Sequence, residues 1–564
     1  MKPTTLAILL AALIMVGCSR DDDRPEPAAP EVNAGLKAEL FERIDADAAY
    51  LMANLEPLPE DISERIWDMF GPMAEGNREA YEAMPEAYDH PLLAALVEEL
   101  VNFDSREAFE ARGLHGNGLW AVHSLSLFPV LHWQLTDAAA FSAMLERIGE
   151  NAGVALPWRE IDDAEVLWIE MGDFGLALRH DEYFVTAALI PDDSRLLRRV
   201  ADLERPTTAY TPSDLSRFNE ERGFLPQTSG FLEFGRLFER LLDDDDELAG
   251  PVHLAAGVQG LLADPACDAE LRTLVSQMPR ISTGYYSFED GELYSGTKFE
   301  TDPALGERLA KIADAPVSLE GDAEAMFSFG LAFNLVAARD FVRDMITGWV
   351  DNPPQCELFA GIRDNASEWQ LAVNRPIPPM VTNLQGVRAR LDRAVIGQDM
   401  KSVEDASGSL AVFMRNPQMI VGMAQMFSPE LAAVSLEPGG EPQRLPEGIV
   451  PDTQGVSAWI AMGDNALGVA LGEEQKDQLM HLLEPGEAGS AIAHVGIDFA
   501  AYGRLMEDMM SEIQTQLEDA DTELELGDDE EMFRLLAEIY GYSDFSLHLT
   551  TAGVEIKSRV QLRD

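Results

Sequence analysis

The sequence predicts an α+β protein of two duplicated lobes, each mainly antiparallel sheet with helices packed on one face. Three observations carry this reading. Apolar residues alternate on either side of Gly-Asp in "VLWIEMGDFGLALRH" (166–180) and in "VSAWIAMGDNALGVAL" (456–471), the period of a strand turned back on itself. The two phrases, Trp168 to Leu178 and Trp459 to Leu471, are nearly the same, so one unit is written twice. The hairpins are followed by helical-period segments with few crossovers of βαβ length, which favours antiparallel pairing.

Bulk properties agree with this plan. A chain of 564 residues exceeds one ordinary core. Hydrophobic content of 46% with 25% charged residues is that of a folded globular protein. The charge balance is unusual: 100 acidic residues face 34 Arg and 7 Lys, for a net charge of −59. Such a surface repels nucleic acid and anionic lipid, and an acidic, Lys-poor surface suits high salt, where screening relieves self-repulsion.

Taken in order, the first element is residues 1–17. Lys2 is followed by an apolar stretch, Leu6 to Val16, too short to span a membrane. It ends in "MVGCSR", with Gly17 directly before Cys18. This resembles the lipobox of bacterial lipoproteins, with Met15 where Leu is usual. The resemblance implies a signal peptide cut before Cys18, a diacylated Cys18, and, because Ser19 follows, sorting to the outer membrane with the body facing the periplasm. Residues 18–34 are polar and rich in Pro and Ala, and read as a flexible tether with a reach of at most ~55 Å. The lipid is then the expected membrane anchor. Two cysteines remain, Cys267 and Cys356, with no CxxC and no neighbouring His, so a disulfide is the expectation.

Copy 1 is read as residues 35–302 and copy 2 as 303–564. "GLWAV" (118–122) matches "SLAV" (409–412), and Trp168 matches Trp459. "GFLEFGRLFERLL" from Gly230 matches "AHVGIDFAAYGRLMEDMM" from Ala493, each a strand running into a helix. Asp290-Gly291 and Ala552-Gly553 then mark corresponding hairpin turns. Copy 2 is shorter, and the strand and helix at Tyr183–Leu203 are the segment expected to be missing from it. Helical period marks 137–153, 237–250, 302–316 and 473–483, and "EDISERIWDMF" opens with a capping-box-like Asp61 and Glu64. The "GDFGLAL" hairpin, the strand-into-helix units and "MPRISTGYYSFEDGEL" together resemble a family of secreted and lipid-anchored bacterial proteins classed as a domain of unknown function, a resemblance that brings no catalytic motif.

The chain has no G-x-S-x-G, G-x-x-x-x-G-K-[ST], H-E-x-x-H or paired CxxC, which lowers the corresponding enzyme readings. Asp519, Asp521, Glu523 and Glu530 stand at positions 1, 3, 5 and 12 of an EF-hand-like loop, but Leu524 occupies the place that needs Gly, so a bound metal is not expected. Asp243 to Asp246 read as a solvated loop. His115, His123 and His132 lack ligand spacing and read as packed or surface side chains, and Trp168 and Trp459 as matched core residues. The expectation is a non-catalytic binding or scaffolding protein of the cell envelope without cofactor. Its alternatives are an envelope-polymer hydrolase with a site between the lobes, and a lipid or lipoprotein carrier, which requires an apolar cavity under the sheet.

Overall fold

The structure, a computed structural model, describes residues 30–68, 90–242, 264–289, 291–319, 325–396, 403–427, 431, 434–446, 456–484, 486, 489–506 and 540–563. Cys18, Asp243 to Asp246, and Asp519, Asp521, Glu523 and Glu530 lie outside these residues. The chain separates into two compact units between Gly291 and Glu292, ahead of the 302/303 boundary read from the sequence. It is a mixed α/β protein in which every described strand pair is antiparallel.

Unit 1 begins with α1 (Pro30–Phe41), which takes up residues expected to belong to the tether. After β1 (Tyr50–Ala53) come α2 (Pro91–Val101), α3 (Arg106–Glu110), and the hairpin of β2 (Trp120–Leu125) and β3 (Phe128–Gln134). Helix α4 (Ala138–Ala152) starts where the Asp137 carboxylate accepts from the amides of Ala139 and Ala140, and stops where Gly153 adopts φ +66°. Next are β4 (Trp158–Ile161), β5 (Ala164–Met171), β6 (Phe174–His180) and β7 (Phe184–Pro191). The unit closes with α5 (Ser194–Val200), α6 (Pro212–Arg222), β8 (Ser229–Glu233), α7 (Phe234–Leu242), α8 (Pro265–Gln277) and β9 (Arg280–Glu289). Its strands pair in the order β9-β8-β1-β2-β3-β7-β6-β5-β4.

Helices cover both faces of this sheet rather than one. Alternate residues of β5 explain why: Leu167 and Ile169 join the core beneath α2 and α4, while Val166 and Trp168 join the core beneath α5. A strand that is apolar on both faces needs cover on both. Helices α1 and α6 complete the second side over Leu51, Ala53, Ala121 and Phe231.

Unit 2 comprises β10 (Glu292–Glu300), α9 (Pro303–Ala313), β11 (Phe327–Ala332), α10 (Leu335–Asp351), α11 (Ala360–Val373) and α12 (Pro379–Asn383). Then follow β12 (Leu384–Ile396), β13 (Val403–Met414), α13 (Pro417–Phe427), β14 (Gln443–Arg444), β15 (Ala458–Met462) and β16 (Ala466–Leu471). The last elements are α14 (Lys476–Leu482), β17 (Ala491–Asp498), β18 (Tyr540–Thr550) and β19 (Gly553–Leu562). The order is β10-β19-β18-β17-β11-β12-β13-β16-β15-β14. Strand β10 pairs with β19 from Glu292↔Gln561 to Glu300↔Gly553, which assigns it to unit 2.

Both repeated phrases are hairpins, as expected. In the first, Met171 faces Phe174 across a two-residue turn, and Gly172 takes φ +77°. In the second, Met462 faces Leu467 across a wider turn closed by Gly463 N–H donating to the Ala466 carbonyl. Cys267 and Cys356 are disulfide-bonded to one another, as their number and setting predicted.

Candidate functional site

Between two helices and the sheet of unit 1 lies an apolar cavity of about 140 Å³, with no polar atom on its wall. Its roof follows from helical spacing: Leu93, Leu96, Val97 and Leu100 recur at i, i+3, i+4 and i+7 on α2, a single stripe turned inward. Phe141, Met144 and Leu145 do the same from α4. The floor follows from the strand period, with Leu131 and Trp133 on β3 and Leu176 and Leu178 on β6 pointing to one side. A void of this size lined only by hydrocarbon stays dry and accepts small apolar ligands.

A charged clamp ties the roof together at its edge. The buried Glu99 carboxylate, on α2, accepts from Arg112 Nε at 2.7 Å and from Arg147 Nη2 of α4 at 3.0 Å. Burial raises the Glu99 pKa, but the hydrogen bonds from Arg147 and Arg112 outweigh it and hold the carboxyl below its ordinary value. Nearby, Arg106 is buried with its guanidinium between Glu60 and Glu110, 2.7 Å from each. These ion pairs fix the helices that enclose the cavity while leaving its wall free of charge.

On the sheet of unit 1, His123 and His132 share a face, which sequence spacing did not indicate. The register Ala121↔His132 and His123↔Val130 makes them diagonal neighbours, with their Nε2 atoms 3.1 Å apart. Hydrogen bonding fixes one proton order along the row. The Thr186 hydroxyl donates to His132 Nδ1, His132 Nε2 donates to His123 Nε2, and His123 Nδ1 donates to the Ser124 carbonyl. Both rings are buried and neutral; burial pushes His123 down to about 4, and burial with the neighbouring His123 and Arg43 depresses His132. His115 stands apart, its Nδ1 accepting from the Asn117 amide. In unit 2 the buried His494 Nε2 lies 3.2 Å from Ser328 Oγ.

Among the described residues no group of three or more His, Cys, Asp or Glu is placed to hold a metal ion. Nor is any described helix long and apolar enough to cross a membrane. The cavity itself was missed from the sequence because its lining reads as ordinary core. The signal that could have found it is the paired stripes on α2 and α4, both facing one sheet surface.

No family model matches this chain, and no curated protein does. Among solved structures, one titled "Structure of crystal form III of TP0453" is similar over 50% of this chain and 89% of its own, at 9% identity and a TM-score of 0.22. A likeness that slight bears on neither fold nor function.

Proposed function

We propose that this is a non-catalytic binding protein of the cell envelope, anchored to the outer membrane through a diacylated Cys18, whose first unit takes up the end of an acyl chain. The observation that carries the reading is the wholly apolar cavity of about 140 Å³. It offers no polar atom to recognise a head group, so the recognised feature is hydrocarbon. Each methylene moved from water into it contributes ~0.8 kcal/mol. A cavity this small therefore holds a chain end weakly and exchangeably, as a carrier requires.

Native mass spectrometry of the protein purified from membranes tests both parts. The expected mature chain begins at diacylated Cys18 and carries a non-covalent lipid adduct. Leu176→Trp, and separately Met144→Phe, fill the cavity and should remove the adduct while the melting temperature holds. An N-terminus elsewhere defeats the anchor; an adduct that survives both substitutions defeats the cavity reading.

We propose also that the two units are copies of one ladder, though not in the register suggested by the repeated phrases. The order β9-β8-β1-β2-β3 corresponds to β18-β17-β11-β12-β13. Beyond β3 come β7, β6 and β5; beyond β13 come β16, β15 and β14. Trp459 on β15 thus holds the place of β6, whereas Trp168 stands on β5. In this correspondence the strand without a counterpart is β4, and the strand and helix of 183–203 answer to β16 and α14. The pairing of β10 with β19 supports the proposal. With Gly291 aligned on Gly553, Ser295 corresponds to Lys557 and Gly296 to Ser558. The observed pairs are Ser295↔Ser558 and Gly296↔Lys557, so under this alignment each pair maps onto the other. An experimental structure with β16 anywhere but beside β13 would overturn this correspondence.

A further inference from the structure

The wall of the apolar cavity in unit 1 is uneven, and strand register shows how. Trp133 faces Val185 at one end of the floor, and both are buried. Further along β7, Leu189 faces Leu176, and both are only half-buried, as is Met171 at the turn between β5 and β6. The roof is divided in the same way: Leu93 and Val97 of α2 are buried, while Leu96 and Leu100 are half-buried. The cavity is thus sealed deeply toward β3 and thinly along α2 and the Gly-Asp hairpin.

Helix α2 is held over this thin side by few directional bonds. Residues 91–97 carry no charge, and the His90 side chain makes no capping hydrogen bond. Among the described residues, Glu99 is the one side chain of α2 in an ion pair. Its two partners stand on different neighbours. Arg112 follows α3, where its Nη1 donates to the Ala108 carbonyl at 2.6 Å and its guanidinium lies 5.1 Å from the centre of the Phe103 ring. Arg147 belongs to α4. Apolar contact is non-directional and lets a helix shift, whereas a charge-assisted hydrogen bond holds one geometry. Swinging α2 outward would part Glu99, whose side chain is only 8% exposed, from both arginines. None of the three lines the cavity.

We propose that α2 is the door of this cavity and that the Glu99–Arg147 pair, with Arg112 behind it, is the latch. The proposal rests on the reading of the cavity as a site for an acyl-chain end, and it assigns control of exchange at that site. Empty and filled forms are both closed, and entry and exit both wait for the same opening. Loosening the latch therefore speeds both by one factor and leaves affinity alone, because the pair touches no ligand in either form. Glu99 and Arg147 are in this sense positioning residues, acting through the helix that carries Leu93, Leu96, Val97 and Leu100.

The test uses the chain from Ser19 onward and decanol tipped with a trifluoromethyl group, titrated and followed by fluorine NMR, whose line shapes give both rates. Wild type is expected to bind the probe, and Leu176→Trp to lose it. Arg147→Gln should raise the association and dissociation rates together by about fivefold, with their ratio unchanged. Arg147 is half exposed, and an unchanged thermal melt checks the fold. Glu99→Cys with Arg147→Cys supplies the converse. That variant should exchange fast before reaction and more slowly than wild type once a bismaleimide bridges the two thiols. Cys267 and Cys356 are bonded to one another and do not react. No binding by wild type removes the cavity reading, and the latch with it. Binding that Leu176→Trp abolishes, with wild-type exchange rates in Arg147→Gln or no slowing on bridging, overturns the latch and leaves the cavity reading standing. A faster dissociation without faster association also overturns it, since the pair would then shape the cavity rather than gate it.

Discussion

His123 and His132 sit beside each other in a row whose proton order holds when both rings are neutral. A proton on His123 would put a donor against a donor across the 3.1 Å gap between the two Nε2 atoms, and a proton on His132 would sit on Nδ1 and force the Thr186 hydroxyl to turn, both inside a buried site. The surrounding charges do not relieve this: Asp45 favours protonation of His123, while Arg199 opposes it, and Arg43 opposes protonation of His132. The native pair therefore refuses protons that the unfolded chain accepts. Stability from the pair is complete above the unfolded histidine pKa near 6.5 and is lost as pH falls toward about 4. For His123 alone the difference amounts to about 3 kcal/mol. Urea titrations at pH 7 and pH 5 should show a drop in stability that is smaller in His123→Asn/His132→Asn; an equal drop in both proteins would refute this account. Sequence spacing could not reveal the pair, because their adjacency depends on the β2–β3 register, set by the turn at Ser126 and Leu127.

Elements were legible where a single periodicity fills them. The two Gly-Asp hairpins, helix α4 between Asp137 and Gly153, and α9 behind Asp302 all form where alternation or capping places them. Coverage of the sheet was less legible, because the apolar run in β5 reads as alternation from one side while both sides are buried. Close packing shows why the phrase keeps its glycine. A Cβ at Gly175 would run into the Trp168 ring, which lies flat across β6 with the Arg159 guanidinium 4.6 Å above it. Gly175→Val should cost about 2 kcal/mol by overpacking, read as a lowered melting temperature. A neutral result would mean that the ring moves aside freely. In the other hairpin Gly468 instead makes room for Leu479 and Leu483, so similar wording serves a different contact.

At the scale of the molecule, the disulfide was legible in the sequence, while the ladder correspondence proposed above differs from the one the repeated phrases suggest. Trp168 and Trp459 match as letters, and each lies under a cation, Arg159 and Lys476. In the proposed correspondence they nevertheless stand on different rungs, because hairpins of similar composition can occupy neighbouring places in a repetitive ladder. Only the pairing partner of each strand tells which rung it holds, and that is a long-range fact. The Cys267–Cys356 bond closes a long stretch of chain, worth up to ~4 kcal/mol through loop-closure entropy.

The pairing of β10 with β19 has a consequence for aggregation. A long strand with bare backbone amides and carbonyls recruits another strand, and sheet proteins stay dispersed by blunting such ends. Strand β14 is two residues long, and β4 is four residues with Arg159 and Glu160 among them, so neither invites a partner. Strand β19 is ten residues with Val554, Ile556 and Val560, and it is protected because β10 lies along it. A fragment begun at residue 303, where the sequence suggests a boundary, would lose that cover and should elute from size exclusion as self-paired oligomers. One begun at Glu292 keeps β10 along β19 and should show fewer oligomers paired through this edge. If both fragments run alike, β10 is not what keeps this edge from polymerising.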